Sequence, residues 1–553
     1  MNRTINEITR TVTHAYLDSL DPKNPPPPDK VEQELLNHVC SEIGLENAVR
    51  GKSDQLRKPK TLSPAQIADI MIRLYPMCRI PGAEGRADAD KDILAIYQPE
   101  GENEGIYVTS EAAFRAIARQ YYYHLSDKDF REIMTVLYDE APRKPFCRNR
   151  DIIALGNGLL DYRTKQLMPF DPQYIFLSKA SVNWNHAAQN IVITEQDGRT
   201  WDFESWLMDV CDGDEGMRDL ILEMIGATLR PHVKWGRAFF LYATSGANGK
   251  GTICQLCRNI LGPGSHISIP LAQMSARFGL AGIEQVQAII TDENDVGDFL
   301  SKAANFKALV TFDMVTVEQK YGNVSSLKWP GIVIECFNDF PSTKDRTDSF
   351  LRRLIIVPFN KTFVGCERPE IKQDYLRRPE VLEYVVKRVL EMDYYSFHVP
   401  PICELAMAEY KEDNNPVEYF LNEMLPRFTW DLLPFEFLYQ AFQGFYRDHY
   451  AGSEARIKYK RFKEELREYI KGNDEWESTE SRSNGSKVRY FCPAANRMDR
   501  PEPLVYEYQL RKWMSKAYHG YDIDKMTTPD ISSDTKYEGL VRKGHMPGSH
   551  PGM

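Results

Sequence analysis

Apolar positions along the chain recur at two periods, and the switches between them divide it into segments. Behind Ser63 and Pro64, which suit a helix N-cap and first helical residue, Ile67, Ile70, Met71 and Leu74 fall at helical spacing. Residues from Val31 to about Pro81 therefore predict a small helical segment. Ile93 to Val108 predicts two strands joined by the turn PEGENEG, and Glu111 to Tyr138 returns to the helical period. In that helix Phe114, Ile117, Ala118 and Tyr121 form a core face. Asp151 to Phe170 alternates short apolar runs with the turns GNG and RTKQ, the pattern of a small antiparallel unit. Trp206 to Leu229 carries Leu207, Val210, Leu220, Ile221 and Ile225 at helical intervals, broken by a turn at Asp212 to Asp214.

The next apolar run, Ala238 to Tyr242, is short enough for a buried strand and opens onto a stretch of different character. Ser245, Gly246, Ala247, Asn248, Gly249, Lys250 and Gly251 are small or turn-forming, and a helix is expected to start near Thr252. Such a loop turns its backbone N–H groups inward, where they and the positive end of the following helix cradle a polyphosphate. Lys250 would supply a point charge to the β and γ phosphates. An ordinary Gly-rich turn would need no lysine, strand and helix in this order. Against the pattern G-x-x-x-x-G-K-[ST], Thr244 replaces the first glycine and Gly251 the hydroxyl, so Thr252 becomes the candidate Mg²⁺ ligand.

Downstream, the apolar run in QAIITDEND ends in adjacent acids, a Walker B arrangement. Asp292 is assigned to Mg²⁺ and Glu293 to the attacking water, although acids that end a strand also occur in plain surface turns. A third strand, Gly331 to Phe337, ends in Asn338, a polar group able to orient the same water. Arg352 and Arg353 then precede a buried strand, placed either as solvated or ion-paired arginines or as fingers reaching a neighbouring site.

Composition narrows the class. The chain has 553 residues, too many for one core, and 42% are apolar, enough for several domains. No apolar run reaches the length of a spanning helix and the first residues lack a signal-peptide core, so a cytoplasmic protein with no membrane association is expected. The ten cysteines show no paired framework and read as free thiols; the near pair Cys254 and Cys257 lacks a second pair for zinc. A formal charge of −10 confines any nucleic-acid contact to local patches. Asp88 and Asp90, in the polar stretch GRADADKD, read as a solvated loop rather than paired metal ligands.

GANGKGT, IITDE and CFNDFPSTKDRTDSFLRRLIIVPF resemble, in order and spacing, the ATPase core of superfamily 3 helicases of the poxvirus-type and phage- or plasmid-type primase-helicase family. Asn338, Asp348 to Arg353, and Pro358 with Phe359 carry that likeness, and NGLLDYRTKQLMPF looks like the domain that precedes such an ATPase. The resemblance spans about Ile93 to Phe363. It implies an AAA+-like P-loop core, ATP and Mg²⁺ as cofactors, a homo-oligomer that is a hexameric ring, arginines acting across subunits, and 3′ to 5′ movement on single-stranded or forked DNA. It also implies a channel hairpin, which VTVEQKYGNVSSLKW fits, with Lys320, Tyr321 and Lys328 facing the DNA backbone. Primase or other replication proteins would be further partners.

The expected architecture is multidomain α/β and α+β. Residues 1–29 form a flexible N-terminus with a Pro linker, 30–200 an α+β region, 201–400 the P-loop ATPase, 415–517 a winged-helix-like DNA-binding domain and 518–553 a disordered tail. In the fourth segment Leu438, Phe442, Phe445 and Tyr446 make one helical face and Phe462, Leu466, Tyr469 and Ile470 another, followed by strands at Lys487 to Cys492 and Leu504 to Tyr508. RIKYKRFK opens the second helix, so Arg456, Lys458, Lys460 and Arg461 are candidate phosphate contacts. The function expected is an ATP-dependent replicative helicase of a virus, phage or plasmid; the alternatives are an origin-binding or ring-loading factor, and a P-loop kinase or switch.

Overall fold

The computed structural model describes residues 3–22, 24–81, 92–294, 299–300, 303–318, 324–339, 342–343, 348–449, 457–483 and 486–544. They form two compact units, Met1–Met407 and Ala408–Met553.

The first unit begins with α1 (Ile5–Asp18), which corrects the expectation of a flexible stretch over residues 1–29. Thr4 and Glu7 form a capping box, and Ile8, Tyr16 and Leu17 are buried in one core with α2 (Pro28–Ala48) and α3 (Pro64–Leu74). Pro28 is the first residue of α2 rather than the end of a linker, a position where its missing N–H costs nothing. The strands β1 (Met77–Ile80), β2 (Ile93–Tyr97) and β3 (Tyr107–Val108) pair antiparallel in that order, and α4 (Glu111–Tyr121) and α5 (Asp127–Glu140) pack on the same core as the first helices. Asp88 and Asp90 lie outside the described residues.

Three further strands, β4 (Ile152–Leu155), β5 (Gly158–Asp161) and β6 (Gln166–Met168), make an antiparallel meander. The pair β7 (Ile193–Thr194) and β8 (Thr200–Trp201) precedes helices α6 (Phe203–Val210) and α7 (Glu215–Thr228). The meander shares the central core: Ile153, Leu155, Leu160 and Tyr162 pack with the strands of the main sheet. Tyr162 also faces the buried Arg230, whose guanidinium carbon lies 3.5 Å from the ring centroid.

The main sheet is built from β9 (Ala238–Tyr242), helix α8 (Lys250–Leu261), β10 (His266–Ile267) and β11 (Ala288–Thr291). Beyond them come β12 (Phe299–Leu300), α9 (Ala304–Thr311), the hairpin β13 (Met314–Glu318) and β14 (Val324–Lys328), and β15 (Ile332–Phe337). Then β16 (Ser342–Thr343), which pairs with β12, leads to α10 (Asp348–Leu351) and β17 (Leu354–Pro358). Five of these strands form one parallel sheet in the order β10-β11-β15-β9-β17. AFFLY, AIIT, IVIECF and LIIVP are near-continuous apolar runs because helices cover both faces of such a sheet. Register brings the carboxyl ends together: Thr291 lies beside Glu335, and Phe337 beside Tyr242. The segments leaving β9, β11 and β15 therefore meet at one edge, where open α/β sheets hold ligands. After β17 come α11 (Pro369–Gln373) and α12 (Pro379–Glu391).

Helix α13 (Pro401–Asn414) runs across the boundary between the units, and the second contains α14 (Pro416–Met424), β18 (Leu432–Pro434), α15 (Phe435–His449), α16 (Tyr459–Ile470) and β19 (Trp476–Ser478). A hairpin of β20 (Glu480–Ser483) and β21 (Ser486–Arg489), then β22 (Cys492–Pro493), α17 (Pro503–Glu507), α18 (Ile523–Met526), β23 (Lys536–Tyr537) and β24 (Gly539–Arg542) complete it. Two expectations are corrected here. In place of a strand at residues 504–508 there is a helix: Pro503 stands in the first turn of α17, and the Glu502 side chain accepts a hydrogen bond from the Leu504 N–H. In place of a disordered tail over residues 518–553, β24 is the central strand of the sheet β18-β24-β19, with Leu540 and Val541 fully buried. Gly539 permits that placement, since a β-carbon there would lie 2.1 Å from the Leu433 carbonyl oxygen.

Candidate nucleotide site

The loop between β9 and α8 owes its shape to positive φ at Ala247 (51°) and Gly249 (90°). Gly249 is also close-packed, because a β-carbon on it would approach Val210 Cγ1 to 3.2 Å. Asn248 is buried and its side-chain amide donates to the Ser245 carbonyl, closing the loop on itself. From outside, the Phe363 N–H donates to the Ala247 carbonyl at 2.7 Å, which ties the loop to the chain beyond β17. Gly249 caps α8 without a side-chain hydrogen bond, so the first N–H groups of a 12-residue helix are left for a ligand.

Lys250 is 5% exposed, and its Nζ donates to Asn338 Oδ1 at 3.2 Å. Burial lowers its pKa, as desolvation disfavours an ammonium. Among the described residues this buried cation has a neutral amide beside it and no carboxylate partner, and an anion in the loop would supply the counter-charge. Thr252 is half-buried in the first turn of α8.

The acids after β11 are arranged less simply. Arg258 of α8 donates from Nη1 to Asp292 Oδ2 at 2.7 Å and from Nη2 to the Ile290 carbonyl at 2.8 Å. Asp292 Oδ1 is buried without a hydrogen-bond partner among the described residues, which fits an oxygen kept for a divalent cation. Glu293 is exposed at the strand end. Asn294 is buried: its Oδ1 accepts from the Leu271 N–H at 2.9 Å and its Nδ2 donates to Glu335 Oε2 at 2.9 Å. Cys254 and Cys336 have Sγ atoms 3.4 Å apart, and both lie within 4.8 Å of an Asp292 oxygen. Their hydrogen bond and burial push the Cys254 thiol well above its usual range. Cys254, Cys257 and Cys336 are all free thiols.

Reading the sequence alone missed Arg258, Asn294 and Glu335. Glu335 carried a signal, as the one charged side chain in the buried run IVIECF. Arg258 carried none, because its partner lies 34 residues away.

The arginines before β17 part company. Arg352 is exposed and makes no ion pair or hydrogen bond among the described residues, whereas Arg353 donates from Nη1 to Ser349 Oγ at 2.9 Å. In the hairpin, Val315, Val317 and Leu327 are buried and Lys328 is exposed. Lys320 and Tyr321 lie outside the described residues, as does Arg456. In the second unit Lys458, at the N-cap of α16, and Lys460 are exposed, while Arg461 pairs with Glu465 at 2.9 Å. Lys463 turns inward to Glu480 at 2.9 Å.

Residues 91–212 match the family described as D5 N terminal like, and residues 412–497 that described as poxvirus D5 protein-like. Two segments of the chain thus resemble D5-type primase-helicases. Residues 241–353, which hold most of the site, match a family of unknown function. Two solved apo structures of the NrS-1 C-terminal region are similar at 11% and 12% identity. These alignments cover 77% and 78% of this chain and 99% of each solved chain, with a TM-score of 0.41 in both. D5-type proteins are replication-related nucleic-acid enzymes. Among the described residues, no helix is long and apolar enough to cross a membrane.

Proposed function

We propose that this chain is an ATP-dependent, ring-forming DNA helicase of superfamily 3, acting in replication of a virus, phage or plasmid in the host cytoplasm. The observation that carries the reading is Lys250, buried at the base of a Gly-rich loop and aimed at Asn338 on the neighbouring strand. It is the arrangement a γ phosphate needs on two sides. The strand order β10-β11-β15-β9-β17 supports an AAA+-like P-loop core, with the loop strand second from one edge and the Asn338 strand between it and the acids.

The residues Ser245 to Thr252 would bind the β and γ phosphates through backbone N–H groups, with Lys250 as the point charge. Asp292, through Oδ1, and Thr252 would hold Mg²⁺, which when bound neutralises charge that develops on the phosphates. Glu293 would orient water and take its proton as the oxygen bonds to the γ phosphorus. The bond to the β,γ-bridging oxygen breaks, and its electron pair leaves with ADP. Asn338 would hold the γ oxygens or that water. Arg352, exposed and without a partner among the described residues, suits action on a neighbouring subunit's site better than Arg353 does.

Grip on DNA would come from the hairpin, with Lys320, Tyr321 and Lys328. The second unit orders its elements as α14-β18-α15-α16-β19 with β24 between the outer strands, which supports a winged helix. Its basic helix start would offer Arg456, Lys458, Lys460 and Arg461 to phosphates.

The test is ATP hydrolysis with and without single-stranded DNA, together with strand displacement on substrates of both polarities. Stimulated hydrolysis and 3′ to 5′ displacement are expected. ATP-dependent assembly on DNA with no displacement would replace this reading by a ring-loading factor. Phosphate transfer to an acceptor other than water would replace it by a kinase.

A further inference from the structure

Past β17 the chain returns across the loop. The Phe359 N–H donates to the Tyr242 carbonyl at 2.7 Å, and the Phe363 N–H holds the Ala247 carbonyl. The segment then enters α11, which is fixed from both sides. Ile371 is buried in the core that also contains Ile253, Cys254 and Cys257 of α8. Just beyond α11, the Leu376 carbonyl accepts from Asn259 Nδ2 of α8 at 2.7 Å. One side chain of this short helix faces the start of α8: a β-carbon placed on Gly251 would lie 3.6 Å from Lys372 Nζ. Gly251 is the position where the loop pattern expects a hydroxyl. Its absence leaves room that the Lys372 ammonium overlooks.

The acids near Lys372 in sequence are engaged elsewhere. Glu370 pairs with Arg368 at 3.1 Å, Asp374 with Arg378 at 2.6 Å, and the Glu367 carboxylate accepts from the Gly365 N–H at 2.9 Å. Among the described residues Lys372 makes no ion pair and no hydrogen bond, although it is half-buried. A half-buried ammonium beside uncapped N–H groups adds positive potential where Lys250 already lacks a counter-charge. An arginine or lysine serving only solubility would point to solvent or join the carboxylates of its own helix.

We infer that Lys372 is a second phosphate-binding cation, reaching the polyphosphate of the bound nucleotide from α11 across the space that Gly251 leaves open. The inference rests on the nucleotide reading of the loop and names a contact which that reading does not require. A small-molecule anion such as inorganic phosphate would be drawn by the same chemistry but should bind more weakly, since it carries less charge and fewer phosphate oxygens than a polyphosphate.

The test measures binding of ATP, ADP and adenosine to the full chain, for wild type and for Lys372→Met, Lys372→Arg and Gly251→Ser with Lys372→Met. Lys372→Met should weaken ATP by about 10-fold or more and adenosine by less than about twofold. Lys372→Arg should recover most of the loss, and the added serine part of it. Thermal unfolding midpoints without nucleotide should match wild type, which separates lost contact from lost fold. If wild type binds ATP and Lys372→Met binds it equally well, the inference is wrong and the loop reading stands. Equal losses for ATP and adenosine would also overturn it. A wild-type chain that binds no ATP would overturn the loop reading itself.

Discussion

The phosphate loop and the acidic strand end share one edge of one sheet, and they are built by different means. In the loop, the main shape-setting bonds are local: Asn248 closes on Ser245, positive φ falls at Ala247 and Gly249, and Lys250 comes directly after. At the acidic end every decisive partner comes from elsewhere in the chain. Asp292 is claimed by Arg258 from the last turn of α8, and Asn294 reaches both Leu271 and Glu335. A local device depends on which residue types succeed one another, while an assembled one depends on which side chains the sheet order brings within reach. Under the proposed function the shape of the loop does not depend on the acids, so mutants should separate binding from turnover.

The largest break between the two should come from Glu293→Gln, which is expected to leave ATP binding within about twofold and lower hydrolysis by about 10² or more, the scale of a lost general base. Binding and single-turnover hydrolysis on one preparation check it. Unchanged turnover would move the catalytic carboxylate elsewhere. Lys250→Ala should act on the other side of the comparison, weakening ATP binding by about 10- to 100-fold through loss of a charge-assisted contact. Equilibrium titration reads that directly, and a loss confined to turnover would contradict the role given to the loop.

Arg258→Gln tests the assembled half. Removing one partner of a part-buried pair leaves Asp292 without its hydrogen bond, so unfolding stability should fall by about 1–3 kcal/mol in denaturant melts. Mg²⁺-dependence of hydrolysis should change in the same variant, whereas nucleotide affinity without Mg²⁺ should hold. A variant that loses Mg²⁺-free nucleotide affinity instead would show that Arg258 belongs to the loop.

The smallest effect is on pH and has opposite signs for fold and ligand. Burial depresses the Lys250 pKa below 10.5, so between its folded and unfolded values the unfolded chain binds more protons and stability rises with pH. Bound phosphates favour the charged lysine, so nucleotide affinity is full below the folded value and falls as pH rises through it. Melts and titrations across the alkaline range, with Lys250→Met as the reference lacking both trends, would expose a shared sign as a contradiction.

Much of this was legible beforehand where a motif is contiguous. The strand-loop-helix order, the meander at residues 151–170 and the apolar strands of the sheet all depend on period and on turn residues close in sequence. The errors came at segments that look unable to fold alone. Residues 5–18 and 539–542 are short and partly polar, and each is ordered by burying a few side chains on a surface made by distant residues: Ile8, Tyr16 and Leu17 for one, Leu540 and Val541 for the other.

The amino-acid sequence by itself determined the shape of the Gly-rich loop, because φ preferences, backbone donors and a lysine at fixed spacing act over a few residues. It also determined the set of buried strands, because continuous apolar runs can be satisfied only inside a covered sheet. Tertiary structure alone decided which charges meet at the loop. Arg258 on Asp292, Asn338 on Lys250 and Lys372 beside Gly251 are separated along the chain by 34, 88 and roughly 120 residues, and the parallel strand order and the return of the chain over the loop bring them together.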